Sequence, residues 1–387
     1  MRNALAEPLQ VRIFPAYLLS LLIPGYSFLF VLTGPHSSLA TILWVLPMWS
    51  TVLIDMWSPP SRKQPDKRLH PLPYDVILYL LATVQFLAIL ALLDFSIRLN
   101  FGSSLEWASS LFNLFAIKVI VGTSSSFSGI VVAHELIHRP DPFNQALGRL
   151  LLALECYEHF ATEHIRDHHK NFATLADPAT ARFGESYEEF WKRTVPAQFK
   201  NAWRLENERL GIQDPRRIDS RLFFHRVTRG LVLEIIMLIS ILLIFGIAGL
   251  VVFAVQAFAA VRKLEAVNYI EHWGLCRTQD CFGRFLSWDT DSWFTLNAIV
   301  GLSRHSDHHR YAGKPYHQLC YSMESPKLPY GYFATVFIAV SFNRRYQTLV
   351  RRELDKARLG LARRIPADNA LPGRISDLAE LASIRSD

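Results

Sequence analysis

The stretch LFNLFAIKVIVGTSSSFSGIVVAHELIH, residues 111–138, decides the fold. Its first part, about Leu111 to Val132, is an apolar run of membrane-crossing length, since a hydrocarbon core of about 30 Å takes roughly 20 residues of helix. Its end is H-E-L-I-H, with His134 and His138 four apart. On a helix that spacing puts both imidazoles on one face, one turn apart. One segment thus predicts a membrane span and a pair of metal-ligating side chains where it ends.

Working outward, the same apolar signature recurs at about Ile13 to Leu32, Leu39 to Met56 and Tyr74 to Leu93. Two further spans are crowded into 223–261, either entering before Phe223 or turning back as a tight hairpin near Gly246 to Gly249. Composition agrees. Of 387 residues half are hydrophobic, 26 are Phe and only 19% are charged, and mean hydropathy is +0.16. A soluble chain averages roughly a quarter charged residues. Disorder, a collagen-like fibre and a disulfide-rich secreted fold are excluded. The four cysteines (Cys156, Cys276, Cys281, Cys320) form no C-x-x-C pair and read as ordinary thiols of a reducing compartment. The expected fold class is all-α: a multi-pass membrane helical bundle of about six spans with a cytoplasmic, histidine-rich helical cap at 133–222 and 262–345. Residues 1–345 form one membrane-embedded catalytic domain, and 346–387 a basic cytoplasmic tail. The first span is long and lacks a small-residue cleavage site, so it reads as a span rather than a cleaved signal peptide.

Loop charges set the orientation. The 58–73 loop carries Arg62, Lys63, Lys67 and Arg68, the 33–38 turn carries no basic residue, and the 94–106 loop carries only Arg98. Residues 139–229 hold Arg139, Lys192, Arg193, Arg216, Arg217 and Arg229, and the C-terminal part adds Arg344, Arg345, Arg351 and Arg352. With helices alternating in direction, every basic-rich segment falls on one face, the expected cytoplasmic face of a plasma or inner membrane. The net charge of +7 is thereby explained without nucleic acid.

Fourteen histidines are present, and nine are grouped. Besides His134 and His138, H-I-R-D-H-H supplies His164, His168 and His169, R-H-S-D-H-H supplies His305, His308 and His309, and His272 stands alone in N-Y-I-E-H-W-G. Imidazoles converging without thiolates suit Fe, Zn, Cu or Ni. Since one zinc takes about four ligands, nine are too many for one ion and about right for two. Two redox metals beside a lipid-embedded cavity point to oxygen chemistry on an apolar substrate. Carboxylates accompany each group: Glu135, Glu163, Glu271 and Asp307, with Asp167 a fifth. They are expected to receive the second N–H of a metal-bound imidazole and fix its tautomer, and Arg304 to pair with one of them. H-E-x-x-H is also the zinc-protease signature, with the Glu as general base, but that reading leaves the other histidines unexplained. His36, His70, His159, His225 and His317 are read as structural.

Taken in order, H-E-L-I-H, E-H-I-R-D-H-H, N-Y-I-E-H-W-G-L and L-S-R-H-S-D-H-H resemble the integral-membrane alkane monooxygenase family, within the histidine-rich membrane desaturases and hydroxylases. D-P-A-T-A-R-F-G-E-S at 177–186 and S-P-K-L-P-Y-G-Y at 325–332 add to the match. The resemblance covers about Ala133 to Arg345. Residues 1–130 match only as a hydrophobic pattern. It implies six membrane helices and a cytoplasmic cap holding two non-haem irons on His134, His138, His164, His168, His169, His272, His305, His308 and His309. It also implies O2-dependent hydroxylation of a terminal methyl, with electrons from a separate rubredoxin or ferredoxin and its reductase. Three positions depart from the family: Asp167 where Gly is usual, Trp273 where Tyr is usual, and Arg310 to Tyr316 in place of a His-Pro run. The same scaffold serves fatty-acyl desaturases and hydroxylases, the alternative reading. A metal-binding membrane protein without catalysis is the remaining one. An alkane offers no polar handle, so chain length is expected to be set by steric stops, with Trp44, Trp49, Phe28 and Phe30 as candidates. Arg166, Lys170, Arg304, Arg310 and Lys314 form a basic face suited to an acidic electron carrier.

Overall fold

The computed structural model describes residues 14–65, 69–213, 219–275 and 287–362. The sequence-predicted basic residues Lys67, Arg68, Arg216 and Arg217, and the cysteines Cys276 and Cys281, lie outside them. Among the described residues the regular structure is helical. Five helices are long and apolar enough to cross a membrane: α1 Phe14–Thr33, α2 Ser38–Met56, α3 Leu72–Ile97, α4 Ser104–Ile137 and a fifth at Arg226–His272.

Several helices begin where a side chain satisfies the first amides. Ser37 caps α2. Ser103 and Glu106 form a reciprocal capping box on α4, which satisfies two orphan donors at once. This pair places the start of α4 one turn and more before the apolar run at Leu111. At the other end α4 continues past Val132 through His134, because helical hydrogen bonding does not stop where apolarity does. The helix therefore rises out of the bundle as a post carrying histidines. Between these ends it contains two π turns, Ile117–Val121 and Ser125–Val131, where Gly122 lies against Ala259 and Gly129 against Glu155.

Shorter elements build the cap: α5 Pro142–Ala153, the continuous helical segment α6 at 160–171, and α7 Tyr187–Leu210, opened by a Ser186–Glu189 capping box and closed by left-handed Gly211. The long α8, Arg226–His272, then crosses twice. At 1.5 Å per residue an uninterrupted helix of 47 residues would span roughly 70 Å, more than twice the hydrocarbon core. It is broken at Gly246 (φ 67, ψ −165). Both of its ends meet the cap. The Arg226 N–H donates to Glu206, Glu234 accepts from the Glu158 N–H, and Glu265 accepts from Tyr157 and Gln198. The middle, at Gly249, lies against Ser96 at the far end of α3. The legs 226–245 and 247–272 thus form the hairpin, turning at Gly246; the first lies within the 223–261 window, and the second overruns it because the helix continues to His272.

The Gly246 backbone conformation is one that side-chain-bearing residues rarely adopt, and no atom lies within 4 Å of a Cβ built there. Gly246→Ala therefore pays no steric clash, only backbone strain of about 1–3 kcal/mol. The expected result is a lowered thermal midpoint in detergent. Gly25→Ala, also with open space around it but inside α1, should not lower it.

The chain returns to the cap through α9 Trp293–Ala298, α10 His305–Arg310, α11 Tyr332–Ser341 and α12 Asn343–Ala362. The region from 346, expected as a tail, begins as this last helix. Tyr346, Val350 and Leu354, spaced at four, bury a stripe in a core with Tyr269, Trp273, Trp288 and Tyr332. Arginines on the opposite face carried the sequence signal, which hid the stripe. Residues 363–387 lie outside the described ones. A second core, around Tyr74, Leu81, Leu136, Leu151 and Tyr316, ties the cap to α3 and α4.

Candidate metal centre

All nine grouped histidines converge. Their ring nitrogens fall into two sets, His134, His138, His164, His169 and His308 in one and His168, His272, His305 and His309 in the other, with the ligand atoms of each set within 4.8 Å of one another. Helical periodicity does the sorting. His134 and His138, at i and i+4, share a face and a set. So do His305 and His309 on α10, while His308, one residue off, faces the other set. In α6 an ordinary helix would pair His164 with His168. Instead the segment His164–His168 is a π turn, in which i and i+5 align, so His164 joins His169 and His168 turns to the second set. Single π turns of this kind recur at functional sites.

In the five-histidine set the Nε2 atoms of His138 and His164 are 3.1 Å apart, those of His164 and His169 3.0 Å, and those of His169 and His308 3.2 Å. Bonds of about 2.0–2.1 Å from nitrogen to a divalent metal leave neighbouring nitrogens about 3 Å apart, so the spacing suits a shared ion. The second set is buried throughout, and its His168 Nε2 and both ring nitrogens of His272, His305 and His309 are buried without a hydrogen-bond partner. An unsatisfied buried polar atom costs about 1–3 kcal/mol, and a metal would satisfy several at once. Burial lowers the pKa of His164, His305, His308 and His309 well below the usual imidazole value, with neighbouring imidazoles adding to the effect. It lowers that of His138 to about 4. These rings are neutral near pH 7, the form a metal requires. The residues present fit two ions of the imidazole-preferring group.

The carboxylates are arranged differently from the sequence expectation. Glu135 accepts from Arg139 (2.8 Å) and from the Tyr316 N–H (3.2 Å). Glu163 and Asp167 accept from Asn201, and Asp167 also from Asn171. Asp307 accepts from Lys314 (2.6 Å) and the Cys320 N–H. Adjacent residues on a helix do not face each other, so an acid next to a ligand in sequence points elsewhere. Glu271 is the exception: Tyr332 Oη donates to it (2.8 Å), and its other oxygen lies 3.3 Å from His305 Nε2. The carboxylate on a ring nitrogen that sequence reading missed is Asp177, 2.9 Å from His168 Nδ1, itself held by the Thr180 hydroxyl and the Ala179 N–H. Its D-P-A-T context was visible, but nine residues separate it from the ring it serves. Arg304 binds the carbonyls of Leu319 and Lys63 rather than an acid, which fastens the 58–73 loop to the cap.

The departures from the family pattern sit in structural roles. Asp167 bridges two asparagines, and Trp273 is fully buried with its indole N–H on the Glu185 carbonyl. The other histidines stand apart from both sets. His36 contacts the Phe30 carbonyl, His225 caps α8, and His317 stacks on Tyr74.

A cavity of about 830 Å³ opens between α2, α4, α7, α8 and α11. Its site-ward wall includes Ile130, one turn from His134, then Ile299 and Leu302 just before His305, and Tyr332, which holds Glu271. Trp49 lines it; Trp44 and Phe30 instead pack with His36 in the α1–α2 hairpin.

Comparison with known proteins agrees with this geometry. Residues 108–333 match the fatty acid desaturase family. Alkane 1-monooxygenase 1 of Pseudomonas aeruginosa is 40% identical over 228 residues, 57% of this chain and 58% of that protein. Alkane 1-monooxygenase 1 of Alcanivorax borkumensis is 30% identical over 315 residues, 78% of this chain and 74% of that protein. Alkane 1-monooxygenase of Pseudomonas putida is 29% identical over 316 residues, 79% and 75%. The chain spans under two thirds of the length of two Pseudomonas aeruginosa relatives, 58% and 59%. With every histidine of both sets inside the matched region, and three quarters of the Alcanivorax protein covered, the chain belongs to the alkane 1-monooxygenase family of integral membrane proteins, within the fatty acid desaturase and hydroxylase superfamily.

Proposed function

We propose that the chain is a non-haem di-iron membrane monooxygenase that hydroxylates a terminal or benzylic methyl of an apolar substrate, an alkane or alkyl chain. The observation that carries the reading is the five-and-four grouping of neutral imidazoles beside a mostly apolar cavity that opens into the membrane bundle. When bound, the two irons supply the O2 activation and C–H oxidation. One oxygen atom enters the substrate C–H bond, the other leaves as water, and two electrons with two protons complete the balance. The electrons come from a one-electron iron–sulfur carrier, a rubredoxin or ferredoxin with its reductase.

The chain's own residues hold, orient and exclude. The nine histidines hold the ions, Asp177 fixes the His168 tautomer, and Tyr332 orients Glu271 toward His305. The cavity walls align the substrate and keep water from the site. Because each methylene in an apolar pocket is worth only about 1–3 kcal/mol, chain length is governed by stops. Trp49, 47% exposed and edge-on to Phe337 at 5.2 Å, is such a stop. Trp49→Ser is expected to extend the product series to longer chains; an unchanged series by gas chromatography would remove Trp49 from that role.

Of the basic face expected to meet the carrier, Arg166 is engaged by Glu206, Lys314 by Asp307 and Arg304 by carbonyls. Arg310 is exposed at the end of α10. Lys170 is exposed as well, and an acidic carrier approaching the Lys170 and Arg310 side of the cap is the reading that the basic loops, suited to a cytoplasmic face, support. A protease reading is disfavoured because Glu135, its general base, is tied to Arg139 and the Tyr316 amide. The test is iron content together with product. About two irons per chain and O2-dependent alkanol formation with a reduced carrier support the reading. An alkene product would move the chain to the desaturases.

A further inference from the structure

We propose that Asp55, on the second membrane span, is a positioning residue for the four-histidine set: its carboxylate fixes the first turn of α11 and, through Tyr332 and Glu271, the ring of His305; this rests on the hydroxylase reading above.

Asp55 stands at the cap end of α2 and is buried, 2% exposed. Among the described residues no cation pairs with it. A buried carboxylate is tolerated only where donors surround it, and here three do. Oδ1 accepts from Ser292 Oγ at 2.6 Å and from Thr295 Oγ1 at 2.7 Å, and Oδ2 from the Ala334 N–H at 3.2 Å. The last is a capping bond supplied from outside the helix. A helix leaves its first four N–H groups without internal partners, and α11 opens at Gly331, which has no side chain to satisfy them. Asp55 takes the Ala334 amide instead, and Thr295 Oγ1 takes that of Tyr332 at 2.9 Å. Gly331 is required by this arrangement, because a Cβ there would collide with Asp55 Oδ1. Ser292 Oγ in turn accepts the Thr295 N–H at 3.1 Å, so the same carboxylate also steadies the start of α9.

Tyr332 is the first residue of α11. With its N–H held by Thr295, its phenol reaches Glu271 at 2.8 Å, and the other Glu271 oxygen lies 3.3 Å from His305 Nε2. A row of four contacting residues, Asp55, Thr295, Tyr332 and Glu271, therefore joins a membrane span to a ring of the four-histidine set. Groups in such a row polarise one another, and partners lying behind a ligand fix its orientation. The same span shapes the cavity. Met48, Trp49, Thr51 and Val52, within the two turns before Asp55, line it. Asp55 thus holds the wall that meets the substrate in register with a metal ligand. The opposite end of α2 has a separate anchor: Asn113 bonds the His36 N–H and carbonyl in the turn before the helix and is no part of this row.

The experiment uses the iron-loaded full chain in detergent and reads Mössbauer spectra and iron release to a chelator, neither of which needs turnover. Asp55→Asn leaves one acceptor oxygen in place of two, so part of the row is lost. The expected result is a changed spectrum for one of the two irons, with release of that iron about tenfold faster. Tyr332→Phe should give the same change. The double variant should show no more than the larger single effect, because residues acting in one row are not additive. Thr295→Val should reproduce the change with the carboxylate intact, and Thr295→Ser, which keeps the hydroxyl, should not. Asn113→Ala, which loosens the other end of α2, should lower the thermal midpoint and leave spectrum and release unchanged. If Asp55→Asn and Thr295→Val also lower only the midpoint, Asp55 is a brace for α11 and the proposal falls. Additive effects of Asp55→Asn and Tyr332→Phe would overturn it as well, because Asp55 would then act by another route. Alkanol is measured in parallel: the coupled metal signature, with no hydroxylated product from the unaltered chain, would support the role of Asp55 and overturn the hydroxylase reading.

Discussion

Replacing His168 or His272 with Ala is expected to lower bound metal from about two ions per chain to about one, and replacing His138 or His308 to remove the other. A pair drawn from both sets should leave none. The expectation follows from the sorting of the rings: His168 and His272 share the four-histidine set, and His138 and His308 the five-histidine set. Loss of one imidazole from either set removes one metal–nitrogen bond and opens that ion to competition, so it should dissociate when purification includes a chelator. The other set keeps all its nitrogens. Metal analysis of protein purified in detergent from iron-rich medium, with product formation measured in parallel, checks this. Hydroxylation should vanish in every single variant, because the proposed chemistry needs both ions. Loss of both ions from each single variant would show one interdependent cluster instead of two sites. One zinc per chain, indifferent to His168 and His308 but lost with His134→Ala, would return the chain to the protease reading.

Much of this site was legible in sequence because the ligand residues are repeated at helical spacing. His134 and His138 announce a shared face by their separation alone. The partition between the two sets was not legible, since it depends on a π turn at His164–His168. Local sequence there reads as ordinary helix, and the wider turn leaves no mark in the spacing of the residues. The bundle shows the same limit. Apolar runs located α1 to α4 to within several residues, but hydropathy cannot register a capping box such as Ser103–Glu106 or a helix that carries buried imidazoles past the apolar region. The hairpin at Gly246 was visible as a glycine among apolar residues, while its depth required knowing that Glu234 and Glu265 both meet the cap. Carboxylate roles were the least legible. Contiguity with a ligand is poor evidence of contact on a helix, and long-range partners such as Asp177, Asn201 and Tyr332 leave no periodic mark.

Asp177 carries the second large prediction. Its Oδ2 accepts from His168 Nδ1 at 2.9 Å and from Thr180 Oγ1 at 2.6 Å, while Oδ1 accepts from the Ala179 N–H at 2.9 Å. Three donors fix the carboxylate, and the carboxylate in turn keeps the His168 proton on Nδ1. Nε2 is thereby left as a lone pair aimed at the second set. An Asn at 177 preserves shape but can turn its NH2 toward Nδ1. The ring proton would then move to Nε2 and block ligation. Loss of such an orienting partner typically costs 10–100-fold in metal affinity or activity, and Asp177→Asn is expected in that range. Chelator challenge should strip the ion of the four-histidine set first, leaving about one per chain. Glu135→Gln is the contrast: Glu135 bonds Arg139 and the Tyr316 amide, so its loss should lower thermal stability with little change in the rate of metal release. If Asp177→Asn held its metal as the unaltered protein does while Glu135→Gln released it, proximity in sequence would have been the better guide, and Asp177 would be a brace for the 177–180 turn alone.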